Sequence, residues 1–169
     1  MLTEKMQSAI NEQINKELWS SYLYLSMAAY FEEQNYSGFA NWMRVQAQEE
    51  VTHAMKFFDY VNDRGGRVLL KPIAEVQTEW DDVKSAINDT LEHEKKVTAS
   101  IYNLVDLADE EKDHATNQML QWFIQEQVEE EASADDLLQR VEMTEGKGHA
   151  LLMIDKELAG RQFVDETKE

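Results

Sequence analysis

The chain predicts an all-α fold: a four-helix bundle with a long crossover between helices two and three and a short fifth helix behind it. Three observations carry that prediction. One proline and six glycines in 169 residues leave little material for turns, while the strong helix formers Glu, Gln, Lys, Ala and Leu abound. Four long segments repeat apolar residues at steps of three and four. Each stripe is interrupted near its middle by acids, or by the amide and imidazole beside them. With 43% hydrophobic residues and no compositional break, residues 1–169 fit a single domain that can bury a core, with the bundle over about 3–143 and the fifth helix over about 147–160.

Helix one is predicted from Thr3, whose hydroxyl suits an N-cap, to about Glu33. Its inward stripe reads Met6, Ile10, Gln13, Glu17, Ser20, Tyr24, Ala28 and Phe31. After the break Gln34-Asn35-Tyr36, Ser37 is the expected N-cap of helix two, which ends at Arg64, where Gly65-Gly66 supplies left-handed backbone. That stripe is Phe39, Met43, Gln46, Glu50, His53, Phe57 and Tyr60. The short connection makes the two helices antiparallel neighbours.

From Gly65 to about Trp80 the chain holds its only proline, Pro72, and the run Val68-Leu69-Leu70, with no helical period. Roughly sixteen extended residues at about 3.3 Å each cover roughly 50 Å, enough to span the roughly 45 Å of a thirty-residue helix. The linker can therefore cross the bundle and start helix three at the same end as helix two, parallel to it.

Helix three is predicted from about Asp81 to Ala108, with Val83, Ile87, Thr90, Glu94, Val97, Ile101, Leu104 and Ala108 on one face. Helix four is predicted from about Glu111 to Met143, with Met119, Phe123, Gln127, Glu130, Ala134, Leu137 and Val141. The segment Thr144-Glu145-Gly146-Lys147-Gly148 then breaks the chain. His149 to Leu158, apolar from Ala150 through Ile154, forms a fifth helix too short to cross a bilayer and expected at a subunit contact. The tail from Gln162 to Glu169 is expected to fray.

The formal charge of −18, from 34 acids against 16 Lys and Arg, excludes a general affinity for nucleic acid and favours cations as partners. Acidity alone often means only a solvated surface; here the placement of the acids changes the balance. The absence of cysteine removes disulfides, thiolate zinc sites, iron–sulfur ligation and thiol nucleophiles. The opening MLTEKMQSAINEQ is charged and helix-forming, unlike a signal peptide, and no stretch approaches the roughly 20 apolar residues of a membrane span. A cytoplasmic protein without membrane partners is expected.

Helix midpoints meet in a bundle whichever way each helix runs, so Glu17, Glu50, Glu94 and Glu130 are expected to converge. Glu50-x-x-His53 sets two ligands on adjacent turns facing one way. The competing reading is a buried ion-pair network, but no stripe position is basic, and Lys16, Lys95 and Lys96 point away from the axis on a helical wheel. Unpaired, each buried carboxylate would cost several kcal/mol or take up a proton. Two metal ions bridged by Glu50 remove that difficulty. A carboxylate-rich set with one imidazole and no sulfur favours iron or manganese, with iron preferred. The empty site should hold acids of raised pKa, so metal uptake would release protons. Tyr24, two turns beyond Glu17, suits either a hydrogen bond to a ligand and electron donation or a plain core position. Glu49, beside Glu50, and Glu126 with Glu129, beside Glu130, form either a third cation site or a solvated face. His93, His114 and His149 are expected at the surface or an interface. Trp122 is read as packing, and Asp109, Glu110, Glu111 and Asp113 as candidates for an iron-access funnel.

On these residues the chain resembles the ferritins, specifically the haem-free bacterial ferritins, over essentially its whole length. The resemblance implies that Glu17, Glu50 and His53 hold one iron of a ferroxidase pair, that Glu50, Glu94 and Glu130 hold the other, and that Gln127 lies beside the second. It further implies a third-site set of Glu49, Glu126, Glu129 and Glu130, with Tyr24 as the nearby tyrosine. Where bacterioferritins carry a haem-holding methionine after the bridging glutamate, this chain has Val51, and Gln127-x-x-Glu130 replaces a second Glu-x-x-His, so no haem is expected. Rubrerythrins are set aside by the missing cysteines. The implied activity is oxidation of Fe(II) by dioxygen or peroxide, with Fe(III) stored as mineral inside a shell of twenty-four identical subunits. Other classes are a helical scaffold whose acids stay protonated and a di-iron oxygenase with an organic substrate.

Overall fold

The computed structural model describes residues 1–165 and 167. The described residues form five helices and no strand: α1 (Glu4–Glu33), α2 (Ser37–Asp63), α3 (Val83–Glu110), α4 (His114–Met143) and α5 (Gly148–Leu158). α1 pairs chiefly with α2, α3 with α4, and α5 lies against α2.

Side-chain caps set three of the helix starts. Thr3 Oγ1 accepts from the Met6 N–H at 3.0 Å, Asp82 Oδ1 from Ser85 at 2.7 Å and Asp113 Oδ1 from Thr116 at 3.1 Å. The acid caps correct two predicted boundaries: α3 starts at Val83 rather than Asp81, and α4 at His114 rather than Glu111, because Asp82 and Asp113 stay outside to receive the first free N–H groups. Ser37 is not the cap of α2 but its first residue. That helix start is served by Asp155 of α5, whose Oδ1 accepts from the backbone N–H of Gly38 at 2.8 Å and of Phe39 at 3.0 Å. Asn35 at φ 63° and Gly65 at φ 72° turn the chain out of α1 and α2.

The crossover is zippered to α1. Gln7, Asn11, Asn15, Trp19 and Ser26, spaced at helical turns, bond the linker backbone at Arg67, Leu69, Lys71, Pro72, Glu75 and Gln77 in ascending order. A polar row on one helix thus satisfies the backbone of an extended strand of chain that has no sheet partner. The linker runs the length of α1 and delivers Trp80 against Tyr30, ring centroids 5.4 Å apart, near the end of α1.

Two apolar clusters follow from this topology. One joins the C-terminal half of α1, the N-terminal halves of α2 and α3 and the C-terminal half of α4, with Leu151, Ile154 and Leu158 of α5. The other joins the opposite halves, including Met6, Ile14, Phe57, Ile101, Leu120 and Phe123. α2 and α3 are therefore parallel, as the linker length predicted. α5 spends its buried face on its own chain, leaving Leu152 and Met153 more than half exposed. The tail expected to fray from Gln162 instead lies along α2, where Phe163 shares a groove with Leu25, Ala47 and Val51. The part of that expectation falling on Glu166, Lys168 and Glu169 lies outside the described residues.

Candidate metal centre

Between the two apolar clusters lies a polar layer built from the interruptions in the four stripes. Glu17, Glu50, His53, Glu94, Gln127 and Glu130 are all buried. Ligand atoms of Glu17, Glu50 and His53 lie within 4.8 Å of one another, and so do those of His53, Glu126 and Glu130. Glu94 joins neither group. Its carboxylate is held by its own partners: the Tyr24 hydroxyl donates to Oε1, and Gln127 Nε2 donates to Oε2 at 3.2 Å and to the Glu94 carbonyl at 3.3 Å.

Further polar side chains orient the ligands. Gln13 Nε2 donates to Glu17 Oε1 at 2.8 Å while Gln13 Oε1 accepts from Ser100 at 2.6 Å, and Ser100 accepts from Lys16 at 2.6 Å. Gln46 Nε2 donates to Glu130 Oε2 at 2.8 Å. The His53 ring stands edge-on to Trp122 and Phe123, with centroids 5.5 and 6.1 Å away, which fixes its plane. Trp122 thus does pack, and it packs on a candidate ligand.

The acids of this layer are crowded, buried and mutually repelling. Burial, then the charges of Glu94, Glu17 and Glu130, raise the Glu50 pKa well above the usual carboxylate value. Burial and Glu130 push Glu94 up to about 8, against the opposing hydrogen bonds from Tyr24 and Gln127. Burial, then the neighbouring Glu94, raises Tyr24 well above an ordinary phenol. No Lys or Arg forms an ion pair with Glu17, Glu50, Glu94 or Glu130 among the described residues. Glu17 Oε2 and Glu50 Oε2 are buried and, with both carboxyls ionised, accept no hydrogen bond, although His53 Nδ1 comes within 3.5 Å of the latter and a protonated Glu50 can bond Glu17. Orphaned oxygens of this kind are costly unless a cation serves them. Carboxylates with one imidazole fit iron or manganese.

The accessory acids are less uniform than their spacing suggested. Glu126 reaches His53 and Glu130. Glu129 is exposed and accepts from Gln125 on its own helix at 2.9 Å. Glu49 is ion-paired with Arg161 at 2.8 Å. Arg161 gives no sign in the stripes because it lies beyond α5, 112 residues from its partner.

Two further groups singled out in the sequence have partners of their own. His93 is half-buried in a surface cleft: Ser20 Oγ lies 2.7 Å from its Nε2, Trp19 and Tyr24 flank its ring, and burial lowers its pKa to about 4. The proposed funnel acids all have structural partners. Asp109 accepts from Asn117, Glu110 pairs with Lys5, Glu111 accepts from Thr3, and Asp113 pairs with Arg64.

Comparison with known proteins agrees with this architecture. Residues 7–144 match the family model described as Ferritin, a ferritin-like domain. The bacterial non-heme ferritin of Bacteroides fragilis is 44% identical over 161 residues, covering 95% of this chain and all of the relative. That of Staphylococcus saprophyticus is 40% identical over 168 residues, covering 99% of this chain and all of the relative. Among solved structures, an engineered closed form of the Archaeoglobus fulgidus ferritin superposes with a TM-score of 0.96 at 52% identity, covering 97% of this chain and all of that one. The open-pore ferritin of the same archaeon gives 0.95 at 52% identity, covering 96% of this chain and all of that one.

Proposed function

The chain belongs to the ferritin family, and from that membership and the buried acid layer we propose that it stores iron, oxidising Fe(II) to Fe(III) at a pair of sites in the middle of the bundle. The observation that carries this reading is the pair of orphaned oxygens, Glu17 Oε2 and Glu50 Oε2, in a layer of acids with no basic partner. Iron is here both substrate and cargo.

In this reading Glu17, Glu50 and His53 receive one Fe(II), and Glu50, Glu94 and Glu130 receive the other, with Gln127 beside it. Two Fe(II) ions held side by side supply two electrons to one molecule of dioxygen or peroxide, and each ion leaves as Fe(III). The protein's own groups do the positioning. Gln13 and Gln46 aim the Glu17 and Glu130 carboxylates, and Trp122 and Phe123 hold the imidazole plane. Tyr24 and Gln127 keep Glu94 turned to one side, where their donated hydrogen bonds favour its ionised form. Uptake of the ions expels the protons that burial keeps on Glu50 and Glu94, so binding tightens as the pH rises.

Storage needs an enclosed volume, for which a hollow homo-oligomer, of twenty-four subunits by the resemblance, is the proposed setting. The half-exposed Leu152 and Met153 on α5, and Tyr22, Leu25, Val51 and Met55 on the outer faces of α1 and α2, support contacts between subunits. No helix among the described residues is long and apolar enough to cross a membrane, and we place the protein in the cytoplasm. Haem is not part of the proposal.

The test is aerobic addition of Fe(II) to the metal-free protein, following ferric absorbance and particle size. The expected result is rapid oxidation that saturates near two ions per subunit, with a mineral core at higher loading. A Glu50→Ala, His53→Ala variant should oxidise Fe(II) no faster than buffer in the initial phase. Equal rates for wild type and variant would favour the scaffold reading, in which the acids simply stay protonated.

A further inference from the structure

Glu17 is reached from the surface of the bundle by a run of hydrogen bonds that all point one way. Lys16, exposed on α1, lays its side chain into the seam with α3, where Nζ donates to Ser100 Oγ at 2.6 Å. Ser100 Oγ donates to Gln13 Oε1 at 2.6 Å, and Gln13 Nε2 donates to Glu17 Oε1 at 2.8 Å. Ser100 and Gln13 are buried, and Glu17 Oε2 is left without a donor. The seam opens outward as a cleft of about 450 Å³ between α1, α3 and the crossover, and among the described residues none of those lining it is an acid. In a chain with 34 acids, this ammonium is spent on a hydroxyl.

We propose that Lys16 is a positioning residue: it sets the direction of this run, and so keeps the donating end of the Gln13 amide on Glu17 Oε1 and leaves Glu17 Oε2 for an ion. This rests on the functional reading above. An ammonium donates and cannot accept, so Ser100 takes the Lys16 N–H on a lone pair and has its one proton left for Gln13. That proton needs an oxygen, so the amide carbonyl faces Ser100 and the amide nitrogen faces Glu17. The two ends of a glutamine amide are nearly alike in shape, and without a fixed donor behind it the amide is free to turn over and set its carbonyl against the carboxylate. Glu17 is then repelled from its place beside Glu50 and His53. Gln46 is fixed by the same means on another face of the layer: the Arg161 guanidinium donates to its Oε1 at 2.5 Å, and its Nε2 donates to Glu130 Oε2 at 2.8 Å. In both cases a side chain that can only donate decides which end of an amide meets a candidate ligand.

Charge and direction predict opposite signs. As a cation near a cation site, Lys16 should tighten metal binding when it is removed; as the head of the run, it should weaken binding when it is removed. The probe is Zn(II), which is redox-inert, titrated by calorimetry into the metal-free assembled protein as wild type, Lys16→Arg, Lys16→Met, Ser100→Ala and the double variant Lys16→Met, Ser100→Ala. Lys16→Arg, which also only donates, should bind as wild type does. Lys16→Met should bind one of the buried ions about fivefold more weakly, the scale of one net hydrogen bond. Ser100→Ala should match it, and the double variant should be no weaker than Ser100→Ala, because the run is already cut. Binding by Lys16→Met that equals or exceeds that of wild type, with helicity intact by circular dichroism, overturns the proposal, and so does a further loss in the double variant. Lys16 is exposed, so its variants should fold even where Ser100→Ala does not. If wild type itself takes up no Zn(II), the functional reading falls and this proposal with it.

Discussion

Gly38 and Asp155 are in backbone contact: the Gly38 N–H donates to the Asp155 carboxylate at 2.8 Å, and a Cβ at position 38 would lie 1.6 Å from the Asp155 carbonyl oxygen. The fifth helix is therefore seated on the start of α2 by the absence of a side chain on one partner and an acid on the other, which also complements the helix dipole. Gly38→Ala should force α5 away and cost at least about 2 kcal/mol, while Asp155→Ala, which removes only the cap, should cost about 1 kcal/mol. Denaturant unfolding gives both values. Hydrogen exchange of residues 148–158 should rise sharply in the first variant and modestly in the second.

The metal-free protein should lose stability as the pH rises. Between the ordinary carboxylate value of 4.5 and about 8, folded Glu94 keeps a proton that the unfolded chain has released, and Glu50, raised in the same direction by burial, adds to the effect. The native state then binds more protons than the unfolded state, so unfolding is favoured with each step up in pH, and the loss is complete once the pH passes the folded value. Thermal midpoints of chelator-treated protein should fall from pH 6.5 to pH 8.5, and less steeply between pH 5 and 6.5, where His93, lowered to about 4 in the fold, acts in the opposite sense. Midpoints with saturating Zn(II) should hold level or rise over the same range.

Glu50→Gln should separate stability from binding. An amide in this buried position carries no charge to desolvate and is not repelled by Glu94, Glu17 or Glu130. The metal-free variant should melt about 2–4 °C higher than wild type at pH 8, the shift expected for about 1 kcal/mol in a chain of this length. Its stabilisation by Zn(II) should be largely abolished. A metal-free midpoint at or below that of wild type would mean that the cost assigned to the buried charge is wrong.

Tyr24→Phe removes the donor that favours ionised Glu94. The Glu94 pKa should climb above about 8, so the pH at which half-maximal metal binding occurs should move upward by roughly half a unit or more, the effect of losing one charge-assisted hydrogen bond. Calorimetry in two buffers of different ionisation enthalpy should show more protons released per ion at pH 7.5. A profile that superposes on wild type would reduce Tyr24 to a packing residue.

Asn11→Ala tests the zipper that holds the crossover. The buried amide serves both the Arg67 carbonyl and the Leu69 N–H, and its loss strands backbone groups that have no sheet or helix partner. About 2 kcal/mol should be lost. Exchange protection should drop at Leu69 and its neighbours, while α4, on the other side of the bundle, keeps its protection.

The four stripes could be read from the chain because helical periodicity is local: every stripe residue of α1 and α3 is buried, and in α2 and α4 only Tyr60 and Met119 remain partly open. The linker's course followed from length alone. What escaped were relationships between distant residues. Ser37 has the right chemistry for a cap, but Asp155 arrives from 117 residues away and takes the role. His93 is polar by type, yet Trp19 and Tyr24 of another helix cover part of its ring. Arg161, which pairs with Glu49, lies in a segment where no period could announce it. For the metal roles themselves, the convergence of Glu17, Glu50 and His53 was foreseeable, whereas the turning of Glu94 toward Tyr24 and Gln127 depends on side-chain geometry.

Apolar clusters flank the acid layer on both sides along the bundle axis: one holds the stacked rings of Phe57 and Phe123, centroids 3.9 Å apart, and the other ends, at the far end of the bundle, in Phe31 stacked on Phe39, 5.3 Å apart. For the proposed role, carrying a hydrated ion along the axis would mean passing it through one of these apolar clusters, at a high desolvation cost. In the proposed role the seams between neighbouring rods at the waist are then the shorter way in, and the side chains at their lips should set how fast iron arrives and departs.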